Sequence, residues 1–202
     1  GDKSVGGLDE SVIGPLVVPG KYEAQLTVDG KTVKQLLHVQ KNPINPSTNE
    51  ELEKQHEILM RIRDNTSEIA GRVGTIRNIR VQIQNWLGRL ESANKSKAVK
   101  DLSSLILQNL ASIESELIHT PDAGDLGMDS SVKIYAKFAA LNSVIGSADY
   151  APPKQTVEAY NSIESQYNTQ NAKLTRVIDV DIPNLNRLLS KIDLNPVTTD
   201  FG

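Results

Sequence analysis

Cysteine is absent from this sequence of 202 residues, which excludes disulfides, thiolate metal sites and a cysteine nucleophile together. Aromatic side chains are scarce at 4%, with one Trp and two Phe. That suits helices packed through Leu, Ile and Val better than a sandwich or an aromatic-lined sugar cleft. No run is apolar over the ~20 residues that a bilayer-crossing helix needs. Neither sign of charge dominates, and a net charge of -3 supplies no global attraction to nucleic acid or to an anionic membrane. Missing too are a His-Glu-x-x-His pair, a Gly-rich phosphate loop behind a strand and a Gly-x-Ser-x-Gly elbow. His38, His56 and His119 fall on different predicted elements without helical pairing, so they read as structural residues and not as zinc ligands. No cofactor or metal is expected.

What is present is a long apolar stripe. Leu52, Leu59, Ile62, Ile69, Val73, Ile76, Ile83, Leu87 and Leu90 recur three or four residues apart, or by whole turns, across residues 48–92. They line one face of a single helix in a heptad-like, coiled-coil pattern. At a rise of ~1.5 Å per residue that helix is ~65 Å long, whereas a compact chain of this size has a radius of gyration of ~16 Å. A rod is therefore expected, unless the helix breaks. Gly71, Gly74 and Gly88 each weaken it by up to ~1 kcal/mol relative to Ala, and a bend near 71–74 is expected rather than a stop. Thr66 and Arg80 interrupt the stripe and read as polar marks that set the register of packing within the chain.

Before this helix, residues 1–19 are rich in glycine and proline and have no period, which reads as loop. Tyr22, Ala24, Leu26 and Val28 then alternate with polar residues, Asp29-Gly30 supplies a type I′ turn, and Val33, Leu37 and Val39 return. This pattern predicts a β-hairpin. Two strands alone are marginally stable, so the hairpin must dock on helices, pair with the N-terminal stretch or belong to a larger sheet. Pro43 and Pro46 enforce an extended linker. Ser47, Thr48 or Asn49 caps the long helix, with Glu50, Glu51 and Glu53 opposing its dipole.

Further along, the periodicity predicts helices over 97–118 (Val99, Leu102, Ile106, Leu110, Ile113, Leu117), 130–147 (Val132, Tyr135, Phe138, Ala139, Ile145) and from Lys154 (Val157, Tyr160, Ile163, Tyr167, Leu174, Ile178). Loops at 93–96 and 119–129 separate the first three. Pro183 predicts a break and a new start, with Asp181 as cap and Leu185, Leu188, Leu189 and Ile192 buried. Residues after Pro196 are expected to fray. The fold class is mainly α: an elongated up-down helical bundle of three layers, with the middle layer in two pieces, and an N-terminal β-hairpin. A compact four-helix bundle with a broken first helix is the alternative. The domain division is residues 1–43 for the hairpin segment and 47–197 for the bundle.

Few residues suggest chemistry. Asp122 and Asp125, and Asp179 and Asp181, offer oxygens to calcium but lack the twelve-residue loop with its closing Glu. Turn formation and capping account for them. Arg72, Arg77, Arg80 and Arg89 form a run without an acid on the long helix. That row is a possible interaction surface, including for phosphates. Stacking aromatics are lacking apart from Trp86, and Glu114, Glu116, Glu158 and Glu164 on the other helices are candidate ion-pair partners. Ion pairing is the preferred reading, and nucleic acid is not an expected partner.

The stretch Gly14-Pro15-Leu16-Val17-Val18-Pro19-Gly20-Lys21-Tyr22-Glu23-Ala24-Gln25-Leu26-Thr27-Val28-Asp29-Gly30-Lys31-Thr32 resembles the C-terminal part of bacterial exported proteins that carry a sortilin-like or BNR-repeat β-propeller. In those proteins a Pro-Gly-x-Tyr hairpin closes an immunoglobulin-like module and a helical region follows. The ending Ile182-Pro183-Asn184-Leu185-Asn186-Arg187-Leu188-Leu189 to Leu194-Asn195-Pro196 is similar to that region's close. The resemblance implies a non-catalytic accessory segment of a larger protein that is secreted or periplasmic. Its partner would be the parent β-propeller or another protein chain. It implies no catalytic residues, since this chain has no Ser-x-Asp-x-Gly-x-Thr-Trp repeat. The N-terminus Gly1-Asp2-Lys3-Ser4 has no signal-like segment, which fits either a cytoplasmic chain or a mature or excised piece, and the hairpin favours the second. The alternative reading is a carbohydrate-active segment in which Glu158, Glu164, Tyr160 and Tyr167 line a sugar site.

Overall fold

The structure, a computed structural model, describes residues 14–91, 97–119, 132–147, 150–192 and 194–199, with the side chains of 89–91 left aside. Strands β1 (Gly20–Val28) and β2 (Lys31–Val39) form an antiparallel hairpin. Asp29 and Gly30 both take positive φ, 48° and 75°, as the type I′ turn requires. Val28 faces Lys31, Leu26 faces Val33 and Tyr22 faces Leu37, so the alternating apolar residues of both strands share one face.

Helix α1 (Asn49–Glu91) is continuous through Gly71, Gly74 and Gly88. Thr48 starts it with a reciprocal capping box. The Glu51 backbone N–H donates to Thr48 Oγ1 at 3.2 Å, and the Thr48 N–H donates to Glu51 Oε2 at 2.8 Å. Leu59, Ile62, Ile69, Val73, Ile76 and Ile83 are buried as the stripe predicts, but so are Ile58, Ile79 and Gln55. The buried face is therefore wider than a two-position coiled-coil seam, as expected for a helix flanked by more than one neighbour.

Those neighbours come from the same chain. Helix α2 (Lys97–Leu117) packs on the C-terminal half of α1 and α3 (Ile134–Gly146) on its N-terminal half. Arg77 and Arg80 reach Glu114 of α2, whereas Gln55 Nε2 donates to the Ile145 carbonyl of α3 at 2.8 Å. Helix α4 (Lys154–Arg176) returns beside α3 and α2 as the third layer. The Phe138 and Tyr160 rings lie 5.9 Å apart where α3 meets α4. The result is a mainly helical bundle whose second layer is divided, carrying an N-terminal hairpin. Helix α3 begins at Ile134 rather than at 130, because Lys133 is extended (φ -73°, ψ 160°). The loop predicted at 93–96 and most of that at 119–129, with Asp122 and Asp125, lie outside the described residues.

Two expectations need correction. Pro183 does not break the third layer. Val177–Asp181 forms a π-helical turn, closed by the Ile182 N–H donating to the Val177 carbonyl, and α5 (Ile182–Ser190) continues from it. In an uninterrupted α register the Pro183 ring would collide with the Asp179 carbonyl and leave it without a donor. One widened turn carries that carbonyl aside, so the helix direction survives. Asp181 accordingly has helical dihedrals (φ -74°, ψ -42°) and makes no side-chain cap bond.

The second correction is the tail. Val197 is buried. Its N–H donates to Asn186 Oδ1 at 2.7 Å and its carbonyl accepts from Asn186 Nδ2 at 2.9 Å. Gln82 of α1 grips Thr198 in the same two-sided way, at 2.9 and 3.0 Å. Residues 197–198 are thus tied across α1 and α5 and do not fray.

Candidate functional site

The arginine run turns inward. Helical spacing puts Arg77 and Arg80 three residues apart on the side of α1 that meets α2. There Arg77 Nε donates to Glu114 Oε1 at 2.7 Å and Arg80 Nη1 donates to Glu114 Oε2 at 2.5 Å. Glu114 is only 2% exposed, and a buried carboxylate requires this kind of charged pairing. The two guanidinium groups, about a third exposed, are engaged on one carboxylate instead of being offered to a polyanion. Arg72 pairs with Glu68 of its own helix at 3.4 Å, and the Arg89 side chain lies outside the described residues. Thr66, the other interruption of the stripe, is satisfied within α1. Its hydroxyl donates to the carbonyls of Ile62 and Arg63 at 3.0 and 2.9 Å. Of the two register marks, only Arg80 crosses to another helix.

A second polar cluster joins α1 to α4. The Tyr160 hydroxyl donates to Glu164 Oε1 at 2.5 Å, Arg61 Nη2 donates to both Glu164 oxygens at 3.0 and 3.1 Å, and Asn65 Nδ2 donates to the Tyr160 oxygen at 3.0 Å. The Arg61 guanidinium also sits 4.6 Å above the Tyr160 ring, within cation–π range. Burial, and then the Glu164 carboxylate, push the Tyr160 hydroxyl up to about 12. Partial burial raises the Glu164 carboxyl, but the Tyr160 and Arg61 hydrogen bonds outweigh it and hold the group below the ordinary carboxylate value. Burial, reinforced by Glu68, raises Tyr167 as well.

For a sugar site these residues are poorly disposed. The rings of Tyr160 and Tyr167 are in the core, with no face open for stacking. Glu158 projects into solvent, 3.5 Å from Lys154, and makes no contact with the Arg61–Tyr160–Glu164 cluster among the bonds described. Among the described residues no three His, Asp or Glu side chains converge on a point where a cation could sit.

Two features at the N-terminal end of α1 are open instead. The first is the hairpin face, where Leu26 and Val33 remain 65% and 67% exposed, and Val28 and Leu37 are also uncovered. Local polar contacts hold the hairpin itself: Lys34 with Glu23 at 2.7 Å, and Thr27 with Thr32 at 3.0 Å.

The second is a cavity of about 990 Å³ between segment 14–19, the linker, α1 and α3. The segment is fastened where His56 Nδ1–H donates to the Leu16 carbonyl at 2.9 Å. The linker is held by Lys41 Nζ donating to the Ser47 carbonyl at 2.7 Å. Leu52, Leu59, Ala139 and Ala140 contribute apolar wall, and Asn142 and Ser143 contribute polar groups. Periodicity could not reveal this cavity, because its walls come from four separate stretches of chain. No protein-family model, no curated protein and no solved structure matches this chain.

Proposed function

We propose that this chain is a non-catalytic structural and interaction module of a larger exported bacterial protein. In this reading the helical bundle is a stiff spacer and the hairpin is the contact element. The observation that carries it is the uncovered apolar face of β1 and β2, on which Leu26, Val28 and Val33 stand more than half exposed and Leu37 nearly so. A free two-stranded hairpin is marginal in water, and an apolar face of this kind is the mark of a surface that another polypeptide covers. The hairpin motif from Pro19 to Gly30 points to the parent protein's own β-propeller or adjoining immunoglobulin-like module as that polypeptide. The inward engagement of Arg77 and Arg80 supports protein contact over nucleic acid. No helix among the described residues is long and apolar enough to cross a membrane.

Hydrogen exchange compared between this chain and the full-length gene product is the direct test. Amides of β1 and β2 should exchange quickly in the chain alone and be protected in the full-length protein. Equal exchange in the two would remove the reading. The non-catalytic part fails separately if the chain hydrolyses a glycoside and Glu158→Gln or Glu164→Gln abolishes the activity.

A further inference from the structure

We propose that the cavity between segment 14–19, the linker and helices α1 and α3 is a binding site for a small amphipathic monocarboxylate, an apolar body bearing one carboxylate group. At about 990 Å³ it lies at the upper end of the ~300–1,000 Å³ typical of ligand pockets, ample for a medium-chain acid.

Its lining is chemically one-sided. Leu52, Leu59 and the small side chains of Ala139 and Ala140 make apolar wall, while the described lining residues include no Asp or Glu and one permanent cation, Lys41. An ammonium has three N–H donors, and the bond to the Ser47 carbonyl at 2.7 Å uses one of them. Lys41 is partly buried, and a partly desolvated cation is stabilised by an opposite charge at hydrogen-bond distance. A ligand cation would meet no counter-charge among the described lining residues. A phosphate dianion would face a single lysine without a bidentate arginine. One carboxylate matches one ammonium.

His56 shapes the wall and supplies no donor to the ligand. Its Nδ1–H is committed to the Leu16 carbonyl, which fixes that wall and leaves Nε2 as the imidazole's remaining polar atom. Asn142 and Ser143 add neutral donors on the α3 side. The hydrocarbon body of the ligand would then displace water from an apolar surface, which is the main source of affinity in such a pocket.

This site is independent of the hairpin's role as a contact surface, and its failure would leave that role intact. The experiment is isothermal titration of the intact chain with decanoate and decyltrimethylammonium below their micelle concentrations and with decanol below its solubility limit. Decanoate should bind most tightly and saturate at one molecule per chain. Lys41→Met should weaken decanoate by about tenfold or more, the loss of one charge-assisted hydrogen bond, and weaken decanol much less, since decanol loses only the wall that the Lys41–Ser47 bond holds. Gly146 also lines the cavity, and a side chain there meets no atom within 4 Å at its Cβ. Gly146→Phe should therefore fill space without displacing the fold and abolish decanoate binding, with the melting curve as the check on folding. Absence of saturable binding, equal affinity for all three amphiphiles, or decanoate binding that survives both substitutions would overturn the proposal.

Discussion

Glu114 is the residue on which the α1–α2 contact depends most asymmetrically. The carboxylate is enclosed, while Arg77 and Arg80 retain access to water. Removing the two partners therefore costs more than removing the acid. Arg77→Met with Arg80→Met leaves a buried, unpaired charge and should destabilise the chain by about 3–5 kcal/mol. Glu114→Gln weakens the hold on two arginines that already reach solvent and should cost about 1–2 kcal/mol. Urea unfolding of the variants distinguishes the two, and a larger loss from Glu114→Gln would contradict the geometry. At the α1–α4 contact the signs with pH are opposite for the two coupled groups. Glu164 titrates below its ordinary 4.5 when folded, so its contribution is present at neutral pH and is lost as pH falls through that lower value. Tyr160 is raised from 10.0 to about 12, so its contribution is complete below pH 10 and is lost as pH rises toward 12. Stability measured against pH should show both limbs, the acid limb flattened by Glu164→Gln and the alkaline limb by Tyr160→Phe.

Among the elements, the two ends predicted to carry caps behave differently. Thr48 makes its capping box with Glu51, so Thr48→Ala should cost about 1 kcal/mol. Asp181 makes no side-chain cap bond, so Asp181→Ala should change stability by no more than about 0.5 kcal/mol. The contrast has a local cause. A cap requires a chain that enters from a non-helical direction, which Pro46 enforces before α1 and the π turn removes before α5. The sequence shows Thr-x-x-Glu and it shows Pro183. It does not show that Val177, Ile182, Leu185 and Leu189, all buried, favour absorbing the proline over starting again. Within α1, a Cβ at Gly71 or Gly74 meets no atom within 4 Å. Alanine at either site should stabilise the chain by up to about 1 kcal/mol, through the smaller entropy of its unfolded state and the better helix propensity. Thermal denaturation of the single and double variants checks this, and a loss of stability would mean that the space beside the glycines is not open in the folded chain.

The whole molecule is held together by sequence-distant pairs: Gln55 with Ile145, Arg80 with Glu114, Arg61 with Glu164 and Gln82 with Thr198. Each joins α1 to a different later stretch, so α1 serves as the spine against which the divided second layer and the returning third layer are aligned. A spine of 43 residues spans ~65 Å at ~1.5 Å per residue. Small-angle scattering should therefore give a radius of gyration well above the ~16 Å of a compact chain of this size. A value near that of a sphere would mean that the helix folds back in solution. The pinned tail can be tested at the same scale. Gln82→Ala should raise hydrogen exchange at Thr198, whose N–H loses its acceptor, and leave the core amides unchanged.

Local pattern was enough for the elements: period two with Asp-Gly for the hairpin, a sustained 3.6 period for α1, and Thr48 with Glu51 for its start. Each of these signals lies within a few residues of chain, where backbone geometry and side-chain direction are tied directly to sequence. What only the tertiary structure decided involves residues brought together from far apart. It placed Arg77 and Arg80 on one buried carboxylate, drew Val197 into the core and carried Pro183 through on a π turn. It also left a cavity where hairpin, linker, α1 and α3 meet. A periodic stripe states that a face is buried; it carries no record of which distant residue arrives to bury it.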